Sequence, residues 1–280
     1  KCSDRKVSEK RIYPTFARTF PPSSKQSKSV ISLLKHFEWT KVILVVSKKP
    51  SDVQMEEALN GLAREHGITV TETHYIPGHY LTKHNETVKQ IILQTYKKTR
   101  VYVLLADNHP MVDFTRYMYE KGLLKNGEYV IICVDDEVYD PSKERQYIYK
   151  ESEAADSDVL PFRAVFIVTH RAAINPEYED FKQNVTSLSM CPPFVIPAHP
   201  HLALPVPLYA GLAYDAVMIY AKALTEALNN HLTEYDGKDI IDNIRGHEYH
   251  KNRGIMAYGK VGNWLDSEQK VGQVILLPGV

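Results

Sequence analysis

Short apolar runs, too continuous to belong to a half-exposed sheet, constrain this chain most. Val42-Ile43-Leu44-Val45-Val46 and Val101-Tyr102-Val103-Leu104-Leu105 carry apolar side chains at every position. An extended backbone points successive side chains to opposite faces, so each run must be covered on both sides. Segments with helical spacing stand between them. Val30, Leu33, Leu34 and Phe37 form one apolar stripe, and Met55, Ala58, Leu59 and Leu62 form a second that stops at Gly67. Residues 68–76 alternate as a strand. Val88, Ile91 and Ile92 begin a third helix; Met111, Phe114, Tyr117 and Met118 form a fourth, with Gly122 just past its end. Residues 129–134 read as the next strand. Strands alternating with helices in this rhythm predict an α/β fold with a doubly wound parallel sheet.

Beyond this the pattern changes. Residues 139–160 are charged and aperiodic, predicting a long surface loop or crossover. Residues 162–168 restore a buried strand, and Pro176 opens a helix through Tyr178, Phe181 and Val185. A proline-rich stretch leads to the longest predicted helix, 208–232, with Leu212, Ala216, Ile219, Ala223 and Leu228 on one broad apolar face. A short helix is expected near 239–244, and strands near 255–258 and 271–277.

The totals exclude several classes. Lys plus Arg and Asp plus Glu are both 34, and no basic block lies beside an aromatic platform, so the sequence offers no nucleic-acid surface. No apolar run approaches the roughly 18–20 residues of a membrane helix, and no basic start leads into an apolar stretch as in a signal peptide. Neither a phosphate-cradling G-x-x-x-x-G-K-[ST] nor a G-x-G-x-x-G after a strand occurs. His247-Glu248-Tyr249-His250 lacks the spacing that puts two rings on one metal, and His199-Pro200-His201 reads as a solvated loop. Asp135-Asp136-Glu137 falls at a strand end, where open α/β sheets hold ligands, yet no nucleophile and base accompany it. No catalytic residue, metal or cofactor is assigned. The sequons Asn85-Glu86-Thr87 and Asn184-Val185-Thr186 are candidate glycan acceptors. Cys2, Cys133 and Cys191 allow two readings: a Cys133–Cys191 bridge with Cys2 paired upstream, or three reduced, buried thiols.

The run Tyr13-Pro14-Thr15-Phe16-Ala17-Arg18-Thr19-Phe20-Pro21-Pro22-Ser23-Ser24 is an extended segment bounded by prolines, with Ser23 or Ser24 placed to cap the helix that follows. With Trp39 and the strand after it, this run resembles the interlobe linker of the two-lobed type I periplasmic-binding-protein fold. Asn126-Gly127-Glu128-Tyr129-Val130, Ala210-Gly211-Leu212-Ala213-Tyr214-Asp215-Ala216-Val217 and Gly237-Lys238-Asp239-Ile240-Ile241-Asp242-Asn243-Ile244 add to the likeness. Together they cover nearly the whole chain and resemble the extracellular ligand-binding region of receptor guanylyl cyclases, the family that includes the natriuretic peptide receptors. The Pro-Pro-Ser-Ser linker favours that branch over class C G-protein-coupled receptors and glutamate receptors, whose small-molecule, amino-acid-like binding modules share the architecture and remain the alternative.

The resemblance implies two lobes, with lobe two over 13–160 plus 254–280 and the rest of lobe one over 161–253, part of lobe one lying upstream. It implies an extracellular ligand, a peptide, received between the lobe-two faces of a homodimer at the plasma membrane. The membrane contact would be made by a downstream helix, and the parent would convert GTP to cGMP inside the cell. Glu57 falls at an acidic ligand-contact position and Tyr75 near an aromatic one. Val53 and Gln54 replace the family's aromatic pair, which leaves a solvated helix residue as the other reading of Glu57. The resemblance also leaves the 208–232 helix without its packing partner. The isolated 280 residues are therefore expected to be poorly stable or to associate; a sharp, reversible calorimetric transition from a monomeric preparation contradicts this.

Overall fold

The computed structural model describes residues 6–19, 22, 25–138, 156–170, 176–194, 206, 208–246 and 272–276. They divide into two compact units, a sheet unit within 22–171 and 269–280 and a helical unit within 6–21 and 172–268.

In the sheet unit the chain runs through α1 (Gln26–His36), β1 (Lys41–Ser47), α2 (Pro50–Glu65), β2 (Thr69–Ile76), α3 (Asn85–Thr95), β3 (Val101–Leu105), α4 (Asn108–Glu120), β4 (Val130–Val138) and β5 (Val165–His170), and returns as β6 (Gly272–Leu276). The strands form one six-stranded sheet in the order β2-β1-β3-β4-β5-β6. β1 to β5 are parallel, whereas β6 pairs antiparallel with β5. This edge differs from the all-parallel expectation: a strand returning from a distant part of the chain needs no crossover helix to close an edge antiparallel.

The two-sided strands are divided as their period of two demands. Ile43 and Val45 of β1, Tyr102 and Leu104 of β3, and Ile131 and Cys133 of β4 face α3 and α4, meeting Ile92, Phe114 and Met118. Val42, Leu44 and Val46, Val103 and Leu105, and Ile132 and Val134 face α1 and α2, meeting Leu34, Met55 and Leu59. Each such side chain contributes about 1.5–3 kcal/mol on burial. Trp39 closes one end by packing edge-on to Phe166 at 5.9 Å and stacking on Phe37 at 4.6 Å. Gly67 and Gly122 end their helices at φ 69° and 75°, the left-handed geometry that favours glycine.

Several boundaries differ from expectation. The strand expected at 162–168 begins only at Val165, because Asp156–Ala164 is a 3-10 helix with Pro161 inside it; Phe162 instead plugs the α3–α4 core, fully buried. β4 extends to Val138, past the expected 134. Ser23 and Ser24 and the expected 255–258 strand lie outside the described residues. Lys25, the N-cap residue of α1, makes no side-chain cap bond.

The helical unit holds α5 (Pro176–Ser189), α6 (Leu208–Asn229) and α7 (Gly237–Gly246). α6 stops before the expected 232, because His231 turns to φ 62° and the Leu232 N–H bonds the Ala227 carbonyl at 3.0 Å. Leu212, Ile219, Ala223 and Ala227 of α6 pack against Ile240, Ile241 and Ile244 of α7, with Ala17 and Tyr209 at the margin. Thr19 Oγ1 donates to the Leu212 carbonyl at 3.0 Å. Ala216 and Leu228, expected on the buried face, are exposed. Val217 is 67% exposed and Tyr220 47%. α6 thus has two apolar stripes, one covered by α7 and one open to solvent.

One buried polar link crosses the α3–β3 interface. Thr95 Oγ1 donates to the Ile91 carbonyl at 2.6 Å, so it must accept at 2.9 Å from the Tyr102 hydroxyl. Burial pushes that phenol up to about 12. Phe114→Ala is expected to cost about 3–5 kcal/mol, by leaving a cavity under the α3–α4 layer. Tyr102→Phe is expected to cost only about 1 kcal/mol. Urea unfolding curves of the two variants check both values.

Candidate functional site

Because β1 lies between β2 and β3, the chain reverses direction across the sheet there, and the loops leaving β1 and β3 lie side by side. In open α/β sheets this crevice is a favoured place for ligands. Here the Lys49 ammonium pairs with the Asp107 carboxylate across it. Ser47, ending β1, donates to Asp52 Oδ2 at 2.6 Å and accepts from the Lys49 N–H at 3.2 Å. Ser51 Oγ donates to Asp52 Oδ1 at 3.1 Å. Pro50 begins α2, so its missing N–H costs no helical bond, and Asp52 lies in the first turn, where the helix dipole favours an anion.

Along α2 the buried face is Met55, Glu56, Leu59 and Ala63. Glu56 is a carboxylate at an otherwise apolar boundary, 8% exposed. The Tyr75 hydroxyl, from β2, lies 3.0 and 2.9 Å from its two oxygens and donates to them, and Asn60 Nδ2 donates from 3.4 Å. This bond favours the protonated phenol and raises the Tyr75 pKa. The Tyr75 ring remains 46% exposed. Glu57, one residue on, faces solvent. The structure therefore brings Tyr75 to Glu56, a residue absent from the sequence-based site. Its signal was available: position 56 lies three before Leu59 and one after Met55, on the inward half of the helix.

β2 is the end strand of the sheet among the described residues. Toward α3 it presents Glu72, bonded to His74 Nε2 at 2.9 Å and Lys98 Nζ at 2.5 Å. The Lys98 bond, then the His74 bond, hold the Glu72 carboxyl below its ordinary range. Toward α2 an open groove of about 590 Å³ runs past Asn60, Arg64, Gly67, Thr69, Thr71 and Thr73. The α2–β2 surface thus offers an exposed anion, Glu57, a half-exposed ring, Tyr75, held by Glu56, and an exposed cation, Arg64. It is suited to binding an amphipathic ligand; no nucleophile with an adjacent base occurs on it. Among the described residues no group of His, Cys, Asp and Glu is arranged to hold a metal ion.

The remaining sequence candidates are dispersed. Asn85 opens α3, half-buried, its Oδ1 accepting from the Tyr80 hydroxyl at 3.4 Å, and Asn184 is exposed on α5. Cys133 is buried in β4 with its thiol 3.8 Å from the Ala106 carbonyl, and Cys191 is exposed beyond α5; neither is in a disulfide, so the Cys133–Cys191 bridge is not formed. The side chains of Asp135, Asp136 and Glu137, and all of 199–201 and 247–250, lie outside the described residues.

Asp52 has a carboxyl raised above its ordinary value, chiefly by burial and against the Ser47 and Ser51 bonds. A group with a raised folded pKa binds its proton more tightly when folded. Its contribution to stability therefore falls as pH rises from the unfolded value through the folded one. Asp52→Asn, which keeps an oxygen for Ser47, is expected to remove that fall, so the gain over the unsubstituted chain is larger at pH 7 than at pH 4. Urea midpoints at the two pH values measure it.

Comparison with known proteins agrees with the fold. The profile described as "Receptor family ligand binding region" matches residues 1–269. Guanylate cyclase 32E of Drosophila melanogaster is 37% identical over 92% of this chain and 21% of its own length. Atrial natriuretic peptide receptor 2 of Homo sapiens is 26% identical over 89% of this chain and 24% of its own. The Speract receptor of Strongylocentrotus purpuratus is 24% identical over the same shares. The chain thus spans about a fifth to a quarter of the length of these relatives. A parallel, two-faced sheet matched across 1–269 by this profile places the chain in the receptor family ligand-binding region, similar to the extracellular part of receptor guanylate cyclases.

Proposed function

We propose that this chain is the extracellular ligand-binding region of a single-span receptor guanylate cyclase at the plasma membrane. It receives a peptide on the α2–β2 surface of the sheet unit and passes the event through a homodimer rearrangement to an intracellular domain that makes cGMP. In this reading the sheet unit is lobe two and the helical unit is the downstream part of lobe one. The open stripe of α6 with Val217 and Tyr220 is the face that packs on lobe-one chain from upstream. A relative named for atrial natriuretic peptide supports a peptide ligand.

The observation that carries the reading is the half-exposed Tyr75 ring, fixed by the buried Glu56 beside the solvent-facing Glu57. A rigid ring loses little entropy when covered, and the solvent-facing Glu57 on the same helix as Glu56 would select a cationic side chain through a charge-assisted bond. Dimer signalling then needs only that ligand favour one of two packed arrangements.

The test uses cells expressing the full-length protein, a tissue extract of the source animal before and after protease digestion, and free L-glutamate. Cyclic GMP should rise with intact extract only. Glu57→Gln or Tyr75→Ala should raise the half-maximal dose about 10- to 100-fold, the size of one lost charged or well-packed contact. A response to L-glutamate that survives digestion overturns the peptide reading, and an unchanged dose curve for both variants overturns the site.

A further inference from the structure

The whole chain is electrically balanced, yet one end of the sheet unit is not. Contrary to the sequence-based expectation of no basic block beside aromatic rings, cations are gathered on tyrosine rings where β3 and β4 begin and α3 and α4 finish, with Lys89 of α3 beside them. The Arg100 guanidinium lies 4.7 Å from the Tyr129 ring centre and donates to the Tyr96 carbonyl at 3.1 Å, while the Tyr129 hydroxyl donates to the same carbonyl at 2.7 Å. Lys97 Nζ lies 5.6 Å over Tyr96. Lys89 and Lys121 flank one ring, Tyr117, at 5.8 and 5.4 Å, and Lys125 stands 5.9 Å over Tyr119.

Carboxylates reach part of this group. Glu86 holds Lys89 at 2.8 Å, Glu72 holds Lys98 at 2.5 Å, and Glu128 approaches Arg100 at 3.7 Å; Glu120 is the other acid of the α4 end. Lys97, Lys121 and Lys125 are exposed and form no ion pair within 4 Å among the described residues. Helix dipoles explain cations just after α3 and α4, at about 0.3–1 kcal/mol each. They do not explain Lys89, two turns inside α3, Arg100, at the mouth of β3, or Lys125, beyond the last turn of α4.

We propose that this end of the sheet unit docks a linear sulfated polysaccharide. Along α3 the row runs from Lys89 to the helix end at Thr95, about 9 Å at the helical rise of 1.5 Å per residue, and Lys97 extends it, which is more than one small anion can touch and natural for a chain of repeated sulfates. The tyrosine rings lie half-buried or buried beneath the ammonium groups, so the aromatic side chains do not project as anchors into an apolar phase. That favours a solvated polyanion over a lipid surface. The choice of a sulfated glycan over nucleic acid rests on the extracellular placement argued above. The row is built from α3, α4 and the loops after them, apart from Glu57 and Tyr75, so glycan docking and ligand response are separable.

The test measures binding of biotinylated heparin at 0.15 M salt to the full-length protein on cells, with phosphatidylserine vesicles and neutral dextran as competitors. Replacing Lys97, Lys121 and Lys125 together by Gln should weaken binding at least about tenfold and flatten its salt dependence, as expected when three counterion-releasing contacts are lost. Replacing the same three by Arg should retain binding, and Tyr117→Phe should retain what Tyr117→Ala reduces. Equal binding by the Gln variant, or no binding by the unsubstituted protein, overturns the proposal. So does displacement of heparin by vesicles with direct vesicle capture. Loss of cGMP signalling with heparin binding intact would fail the receptor reading alone.

Discussion

The rest of this structure depends on burying β1, β3 and β4 on both faces. Their side chains alternate between two apolar layers, one under α1 and α2 and the other under α3 and α4. Neither layer suffices alone, because a strand such as Val42–Val46 would leave half its apolar surface in water. Two-sided burial forces helices onto both faces. It also forces the chain to reverse between β1 and β3, which brings Ser47, Lys49, Asp52 and Asp107 together at one crevice. The crevice is a consequence of how the core is closed.

The same constraint gives the sheet two unlike ends. Asp52 and Asp107, the latter paired with Lys49, stand where β1 and β3 finish, while lysines and Arg100 gather where β3 and β4 start. Buried strands have no room for either sign, so charge is pushed to the ends. The helix dipoles add to the sorting, favouring anions at helix starts and cations at helix finishes. At the remaining edge, β2 lies partly open beside α2, and there the exposed Tyr75 is steadied by a buried carboxylate.

In the helical unit the balance is different. α6 buries one stripe on α7 and leaves another, with Val217 and Tyr220, in solvent. A helix of mostly apolar composition is stable where both stripes are covered, and this is the physical basis for reading the unit as the part of a larger lobe.

Much of this was legible in the residues. Periods of two and 3.6 are local, so the double-faced strands, the helices between them and the glycines ending two of those helices followed from spacing alone. Local rules erred where distant chain decides: β6 closes the sheet antiparallel, Phe162 enters the core from a 3-10 turn, and Ala216 and Leu228 face outward because α7 covers only one side of α6. The resemblance assigns Glu57 and Tyr75 each to a ligand contact, but does not give the bond of Tyr75 to Glu56, since which of two neighbouring acids points inward depends on how α2 lies on β2. The sequence by itself determined the fold class, because side-chain alternation is intrinsic to the backbone. Only the tertiary structure decided which charges meet, because ion pairs and ring contacts such as Lys98–Glu72 and Arg100–Tyr129 join residues that no local period relates.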